Sequence, residues 1–400
     1  MDLSYSKAYR DFQAQVRAFL KSNWPLSGGE AQLSRAEQGA LFRARAVEHG
    51  YSLRHIPKKY GGSEQDADAL KAEIIRAEFE AARVPHIDPR IGMMNEVVVP
   101  TILAKGAQWM KEKFVPKIVT GEYIFCQCYS EPGAGSDLAS LQAKGELVGD
   151  EWILNGQKIW TSRAHFSHYC VALVRTEPDA TKYRGITYMI IDMNQPGVEV
   201  RPLKQITGVA EFNEVFFTDA RTPKDWIVGE RGEGWAVSRM IVDREHSTFG
   251  GAARSQKLFE RLLGLARKSS IDGNSAIENV DIRRRLARLE GRIRSLQYTG
   301  YRMLTKQGKG EKQLSVSKMV KLYSTQIAHE VAAIAQDIIG DNGMMMPRQD
   351  VERSEIGDEK WVFQYLGSIA HGIGGGTSNV HRNIIAEKVL GLPKDAARAS

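Results

Sequence analysis

Between Pro223 and Pro347 the chain has no proline, and that gap constrains the fold more than any other feature. Proline removes a backbone donor and clashes with the preceding turn, so long unbroken helices require its absence. Within the gap, Ile282, Leu286, Leu289, Ile293, Leu296 and Met303 keep a helical rhythm over several turns, long enough for a bundle helix. We read residues 229–400 as a helical bundle. The opening segment, 1–120, is also helical. Phe12, Val16, Phe19 and Leu20 line one helix face, and Leu70, Ile74, Ala77 and Ala81 line another. Pro25, Pro57, Gly61-Gly62 and Pro85 separate these helices.

The middle segment, 121–228, changes character. Short apolar runs at Tyr123–Tyr129, Trp152–Leu154, Tyr169–Val174, Gly185–Ile191, Val198–Val200 and Val215–Phe217 read as strands. Asn155-Gly156 supplies a tight-turn signal. The expected fold class is α+β: a helical N-terminal domain (1–120), a central β domain, barrel or sandwich (121–228), and a helical C-terminal domain (229–400).

Composition sets the limits. With 400 residues, 42% of them hydrophobic and 26% charged, the chain can build a sizeable core in two or three domains. No apolar run approaches the ~18 residues of a membrane span. The start, Met1 to Ser6, lacks a basic region followed by an apolar run, which leaves the cytoplasm as the default compartment. Three cysteines, Cys126, Cys128 and Cys170, are too few for a disulfide framework. Cys126-x-Cys128 is one residue short of a C-x-x-C metal spacing, so no metal is expected. The net charge of +7 suits a polyanionic partner, either nucleic acid or a phosphate-bearing small molecule. The only basic run, Arg283-Arg284-Arg285, lies within a helical repeat and reads as a solvated helix face. No nucleic-acid motif is present.

Three strings carry chemistry. The first, Cys126-Gln127-Cys128-Tyr129-Ser130-Glu131-Pro132-Gly133-Ala134-Gly135-Ser136-Asp137, is a strand entering a loop whose glycines let backbone N–H groups approach a ligand. The second, Asn155-Gly156-Gln157-Lys158-Ile159-Trp160-Thr161-Ser162, reads as a hairpin turn before an aromatic strand. The third, Gly374-Gly375-Gly376-Thr377-Ser378-Asn379, precedes an apolar helical run that Thr377 or Ser378 caps. A fourth stretch, Asp243-Arg244-Glu245-His246, interrupts an otherwise apolar helix. Asp243 and Glu245 point ~200° apart at ~100° per residue, so only one of them faces any given pocket.

Taken together these strings resemble the acyl-CoA dehydrogenase family, over essentially the whole chain. The resemblance implies a central β domain between two helical domains, the last a four-helix bundle. It also implies FAD as cofactor and α,β-dehydrogenation of an acyl-CoA thioester, with electrons passed to an electron-transfer flavoprotein. Gln127, Tyr129 and Ser130 would meet the flavin ring. Gly135 and Ser136 would lie near the pyrophosphate or the thioester. Trp160 would pack on the ring and Ser162 would hydrogen-bond near N5. Thr377 and Asn379 would touch the phosphate and sugar region. Asp337 and Gly340, in Asp337-Ile338-Ile339-Gly340-Asp341-Asn342-Gly343, match a turn that meets the FAD of a neighbouring subunit.

Departures from the pattern matter. Many members carry the catalytic Glu immediately before Gly-Thr, where this chain has Gly375; its N–H is left to hydrogen-bond the thioester carbonyl. A minority place the base on the first long helix of the C-terminal segment, which points to Glu245, with Asp243 second. The Arg-x-x-Phe-Gly motif is missing around Arg267. The pattern is similar to the subgroup acting on pimeloyl-CoA, steroid side-chain or other bulky acyl-CoA substrates, some of whose members pair two unlike chains. The implied assembly is a homotetramer or homodimer, or a heteromer with a second such chain. Two other readings stay open: a non-catalytic subunit that holds FAD, and a same-fold oxidase or lyase.

Overall fold

The structure is a computed structural model and describes residues 5–85, 89–180, 182–245, 250–308, 314–345 and 358–393. The chain divides into two compact units, Met1–Arg201 with Asn213–Ile241, and Pro202–Phe212 with Val242–Ser400.

In the first unit, α1 (Lys7–Asn23) buries Val16, Phe19 and Leu20 against α2 (Arg35–Glu48) and α3 (Ala69–Ala81). Ser34 and Glu37 form a reciprocal capping box at the start of α2, and the Asp68 side chain accepts from Leu70 N and Lys71 N to start α3. The α3 face differs from the sequence reading. Ile74, Ile75 and Phe79 are buried, whereas Ala77 and Ala81 are exposed. The larger side chains claim the core because they remove more apolar area from water.

Two further helices, α4 (Pro89–Lys105) and α5 (Gln108–Thr120), cover one face of a seven-stranded sheet. Its strands are β1 (Phe125–Cys128), β2 (Lys144–Val148), β3 (Glu151–Ser162), β4 (Tyr169–Arg175), β5 (Ile186–Asp192), β6 (Val198–Leu203) and β7 (Phe212–Pro223). The order is β1-β4-β2-β3-β7-β6, with β5 also paired to β4. β1 runs parallel to β4, matching Cys126 to Cys170, and β5 runs antiparallel to it. Both faces of β4 are buried: Val171 and Leu173 point to the α4–α5 side, and Cys170, Ala172 and Val174 join Cys126 and Cys128 on the other. All three thiols are free.

Asn155-Gly156 is not a turn. β3 runs straight through it, and the turn lies at Gly149-Asp150, where Val148 pairs with Glu151. Gly156 sits at φ +149°, and a Cβ there would lie 2.6 Å from the Ala143 Cα. Close approach of a neighbouring backbone, rather than reversal of the chain, is what requires this glycine. Asn155 is occupied across the sheet: its amide donates to Asp219 Oδ1 at 2.9 Å and its carbonyl accepts from Asp219 N at 3.0 Å.

Beyond the sheet, α6 (Gly234–Glu245) leads to the second unit. There α7 (Gly250–Lys268), α8 (Val280–Gly308), α9 (Leu314–Ile339) and α10 (Glu359–His371) pack around a shared core. Leu262 and Ala266, Leu289 and Ile293, Val331 and Ile334, and Trp361 and Val362 all contribute to it. Ile282, Leu286, Leu289, Ile293 and Leu296 of the helical repeat read from the sequence form the buried face of α8, and Met303 is half-buried. Arg284 is solvated on the opposite side, while Arg285 reaches Asp337 of α9 at 2.6 Å. A final helix, α11 (Ser378–Ile384), runs on into a π-helical turn (Ile385–Val389). Among the described residues no helix is long and apolar enough to cross a membrane, and no group of three or more His, Cys, Asp or Glu is placed to hold a metal.

Candidate active site

The first unit brings the two sheet strings side by side. β1 delivers Tyr129, Ser130 and Glu131 to the loop that follows, and the Ile159 N–H donates to the Ser130 carbonyl at 2.9 Å. Glu131 and Ala134 exchange both backbone hydrogen bonds, at 3.1 and 3.0 Å, which folds the loop tightly. Gly133 and Gly135 face open space, since an added Cβ would meet nothing within 4 Å. The Tyr129 hydroxyl donates to the Tyr188 hydroxyl at 3.0 Å.

A buried ion pair lies under this loop. Lys158 is fully buried, and its Nζ donates to Glu131 Oε1 at 2.7 Å, the Leu173 carbonyl at 2.7 Å and the Tyr129 carbonyl at 3.2 Å. Glu131 also accepts from Gln142 N at 2.6 Å and Ala143 N at 2.8 Å. Burial pushes the Lys158 amine below its usual range, and the charge of Glu131 pulls it back up. Beside the loop is a groove of about 470 Å³ lined by Pro132, Gly133, Ser140, Gln142, Gly156 and Gln157, among others.

At the end of β3 the backbone is strained. Trp160 and Arg163 take left-handed conformations, φ +60° and +61°, and they bracket Ser162. Such conformations persist only where surrounding structure fixes them. Asn213, fully buried on β7, does so: its amide donates to the Thr161 carbonyl at 2.8 Å and its Oδ1 lies 2.8 Å from His165 Nδ1. The result leaves Trp160 59% exposed despite its size. Gln127 Nε2 is buried with no hydrogen-bond partner among the described residues. An orphaned buried amide, an open glycine loop and an exposed indole on a strained strand end together fit a flat heteroaromatic ligand with polar edges and a phosphate tail. Gln127, Gly135 and Trp160 are among the residues that the family resemblance assigns to a flavin.

The second unit holds the glycine turn. α10 ends at His371, Gly375 and Gly376 follow at φ +69° and +91°, and Thr377 caps α11 by accepting from Val380 N at 3.2 Å. Lys321 of α9 clasps this turn, donating to the His371 carbonyl at 2.6 Å and to Thr325 Oγ1 at 3.1 Å. On the other side, His381 Nε2 donates to the Gly375 carbonyl at 3.1 Å. Burial pushes His371, His381 and Lys321 to lower pKa, and neighbouring cations add to the effect on both histidines. Asn379 is exposed and accepts from Arg382 at 2.9 Å. Asp337 is occupied by Arg285, and Gly340 faces open space at φ +55°.

Asp243 and Glu245 lie in the last turn of α6, with Glu245 its final residue. Their side chains, and all of His246, fall outside the described residues. Ser130, Ser136 and Ser162 are on the sheet unit, whereas Gly375, Thr377 and Asn379 are on the bundle unit. Sequence reading passed over Lys158, Glu131, Asn213, Lys321 and His381 as actors in either half. A lysine inside a strand, directly before Ile159 and Trp160, was the one available signal; Asn213 carries none.

A helical domain and a central sheet in the first unit, and a helical bundle in the second, give the element order of a flavin-type oxidoreductase scaffold. The sequence matches the models of the acyl-CoA dehydrogenase N-terminal domain over residues 6–122, middle domain over 126–220 and C-terminal domain over 230–390. The chain belongs to the acyl-CoA dehydrogenase family. It is 35% identical over 396 residues to acyl-CoA dehydrogenase IpdE1 of Mycobacterium tuberculosis, covering 96% of this chain and 98% of that one. The ChsE4–ChsE5 complex of the same organism is similar in structure, with a TM-score of 0.77 at 25% identity, covering 99% of this chain and 100% of that one. The steroid acyl-CoA dehydrogenase Tcur3481–Tcur3483 gives a TM-score of 0.78 at 26% identity, covering 99% and 100%. The chain is an oxidoreductase, and its family implies a flavin cofactor.

Proposed function

We propose that the protein binds FAD and dehydrogenates a bulky acyl-CoA thioester to the trans-2-enoyl-CoA, with an electron-transfer flavoprotein as acceptor. The observation that carries this is in the sheet unit, where the Ile159–Ser130 hydrogen bond joins the strand end that exposes Trp160 to the segment running from orphaned Gln127 into the open Gly133–Gly135 loop. When bound, FAD supplies the hydride acceptor. This chain's residues do the rest. Gln127, Tyr129, Ser130, Trp160 and Ser162 hold the ring, and Gly135, Ser136, Thr377 and Asn379 hold the phosphates and sugar. Asp337 and Gly340 serve the cofactor of a neighbouring subunit. The indole excludes water from one ring face, which protects hydride transfer from side reactions.

Proton removal falls to Glu245, with Asp243 second, because the Gly375 position offers only a backbone N–H. That N–H polarises the thioester carbonyl, as an oxyanion donor does. General base catalysis contributes ~10²–10⁴-fold, so Glu245→Gln is expected to lose turnover by that factor while keeping its flavin. The decisive experiment mixes the purified chain anaerobically with a panel of acyl-CoAs and follows the flavin absorbance. Bleaching by bulky acyl-CoAs, and its loss in Glu245→Gln, is the expected result; full activity in the variant would sink the assignment.

Gly375 favours a second reading, in which the chain holds FAD within a heteromer and another subunit supplies the base. Two of the similar solved structures are named for two chains each. Under this reading the chain alone never bleaches, and co-expression with a second family member restores turnover.

A further inference from the structure

Lys158 is fully buried, its carboxylate partner Glu131 is 7% exposed, and neither touches bulk water enough to recover its hydration. A buried pair of this kind is a poor source of stability, because removing two ions from water costs about as much as their attraction returns. What the pair does supply is direction. An ammonium has three donors, and Lys158 places each one: on the Tyr129 carbonyl, on Glu131 and on the Leu173 carbonyl of β4. Glu131 in turn fixes the backbone at Gln142 and Ala143. Tyr129 and Glu131 flank Ser130, and Lys158 lies two residues before Trp160. The ion pair therefore ties together the two strings that converge on the proposed flavin face.

We propose that Lys158 and Glu131 are positioning residues that set the geometry of the cofactor face, so that their exchange weakens FAD binding out of proportion to any loss of stability. This rests on the flavin reading above. Lys158 holds the Tyr129–Glu131 turn against β3, and Glu131 holds the 140–143 segment that borders the groove. Neither touches the reacting atoms.

The test separates cofactor affinity from folding and does not depend on turnover. FAD is removed from the purified chain and from the apolar double variant Lys158→Met with Glu131→Leu. The melting temperature of each apoprotein is measured, and FAD affinity is read from fluorescence quenching on titration. The double variant leaves the Tyr129 and Leu173 carbonyls and the Ala143 N–H without their partners, so its apoprotein melts lower, and the expected result is FAD binding at least tenfold weaker than in a variant destabilised to the same degree in the bundle core, such as Leu289→Ala. A double variant that binds FAD as tightly as the unaltered chain would overturn the proposal. So would loss of affinity that merely tracks loss of melting temperature. If the double variant fails to fold, Glu131→Asp carries the test, since it keeps the charge and retracts the carboxylate by one methylene. It is expected to lose FAD affinity with little change in melting, and unchanged affinity would overturn the role. An unaltered chain that takes up no FAD would overturn the flavin reading together with this one.

Discussion

Two regions of the molecule, the strand end around Trp160 in the sheet unit (the sheet half) and the glycine turn around Gly375 in the bundle unit (the bundle half), are held by opposite means. In the sheet half, non-glycine residues take left-handed conformations, with Asn213 supporting the backbone between them from the interior. In the bundle half, glycines adopt left-handed conformations at little cost, and side chains from flanking helices, Lys321 and His381, clasp the backbone through its carbonyls. The first is braced by a fully buried side chain beneath the strand end. The second is defined by a few hydrogen bonds around an intrinsically permissive turn. Under the proposed function the difference has a reason: a flat ring needs fixed walls, and a turn meant for a thioester needs backbone groups without side chains in the way.

This contrast predicts that comparable changes hurt the sheet half more. The largest effect is expected from Gly156→Val, because even a Cβ would lie 2.6 Å from both Cα and Cβ of Ala143. Overpacking costs ~1–3 kcal/mol and more where backbone must move. Urea denaturation should place the variant at or beyond that range, and a near-neutral result would show that the β2–β3 edge yields. Next comes Asn213→Ala, which leaves the Thr161 carbonyl buried without its donor. About 1–3 kcal/mol is expected, with loss of FAD affinity as the Trp160–Ser162 backbone relaxes. Full retention of both would show that the strained strand end supports itself. In the bundle half, Gly375→Ala should cost ~1–2 kcal/mol, the left-handed penalty alone, since the added Cβ meets only Lys321 Cε at an ordinary 3.5 Å. If its cost matches Gly156→Val, the two halves are equally rigid and the contrast fails.

The same contrast explains what the sequence revealed. Long proline-free helices are local in origin, so the repeat from Ile282 to Leu296 was legible, and so was the helix–sheet–helix order. The Asn155-Gly156 signal misled because a glycine's reason was tertiary: Ala143 presses against it from the preceding segment. Ala77 and Ala81 misled for a similar reason, since spacing alone does not say which of two adjacent apolar stripes wins the core. The strings of the candidate site were legible as strings, through their glycines, aromatics and hydroxyls. The residues that hold them were not, because Asn213 lies fifty-two positions from the Thr161 carbonyl it supports, and no spacing rule joins them.

The smallest expected effect concerns pH and sharpens the contrast from the bundle side. His371 is pushed below its ordinary 6.5 first by burial, then by Arg254 of α7 and Lys321 of α9. His381 is lowered first by burial; its hydrogen bond to Gly375 opposes the shift, and Lys321 and Lys318 of α9 add to it. Both rings are therefore held neutral in the fold while the unfolded chain takes up protons near 6.5. Wherever the unfolded state binds more protons, stability rises with pH. The contribution of these two histidines is thus complete above about pH 6.5 and is lost as pH falls below it toward their lowered folded values. Charging His381 would also strain the clasp on Gly375, because three cations would then crowd one turn. Thermal melting of the chain at pH 8 and pH 5.5 should show lower stability in acid, and His371→Gln with His381→Gln should flatten part of that difference. An unchanged pH dependence in the double variant would mean that the turn is not where acid acts, and that the bundle half is held by the packing of α9 and α10 rather than by its two histidines.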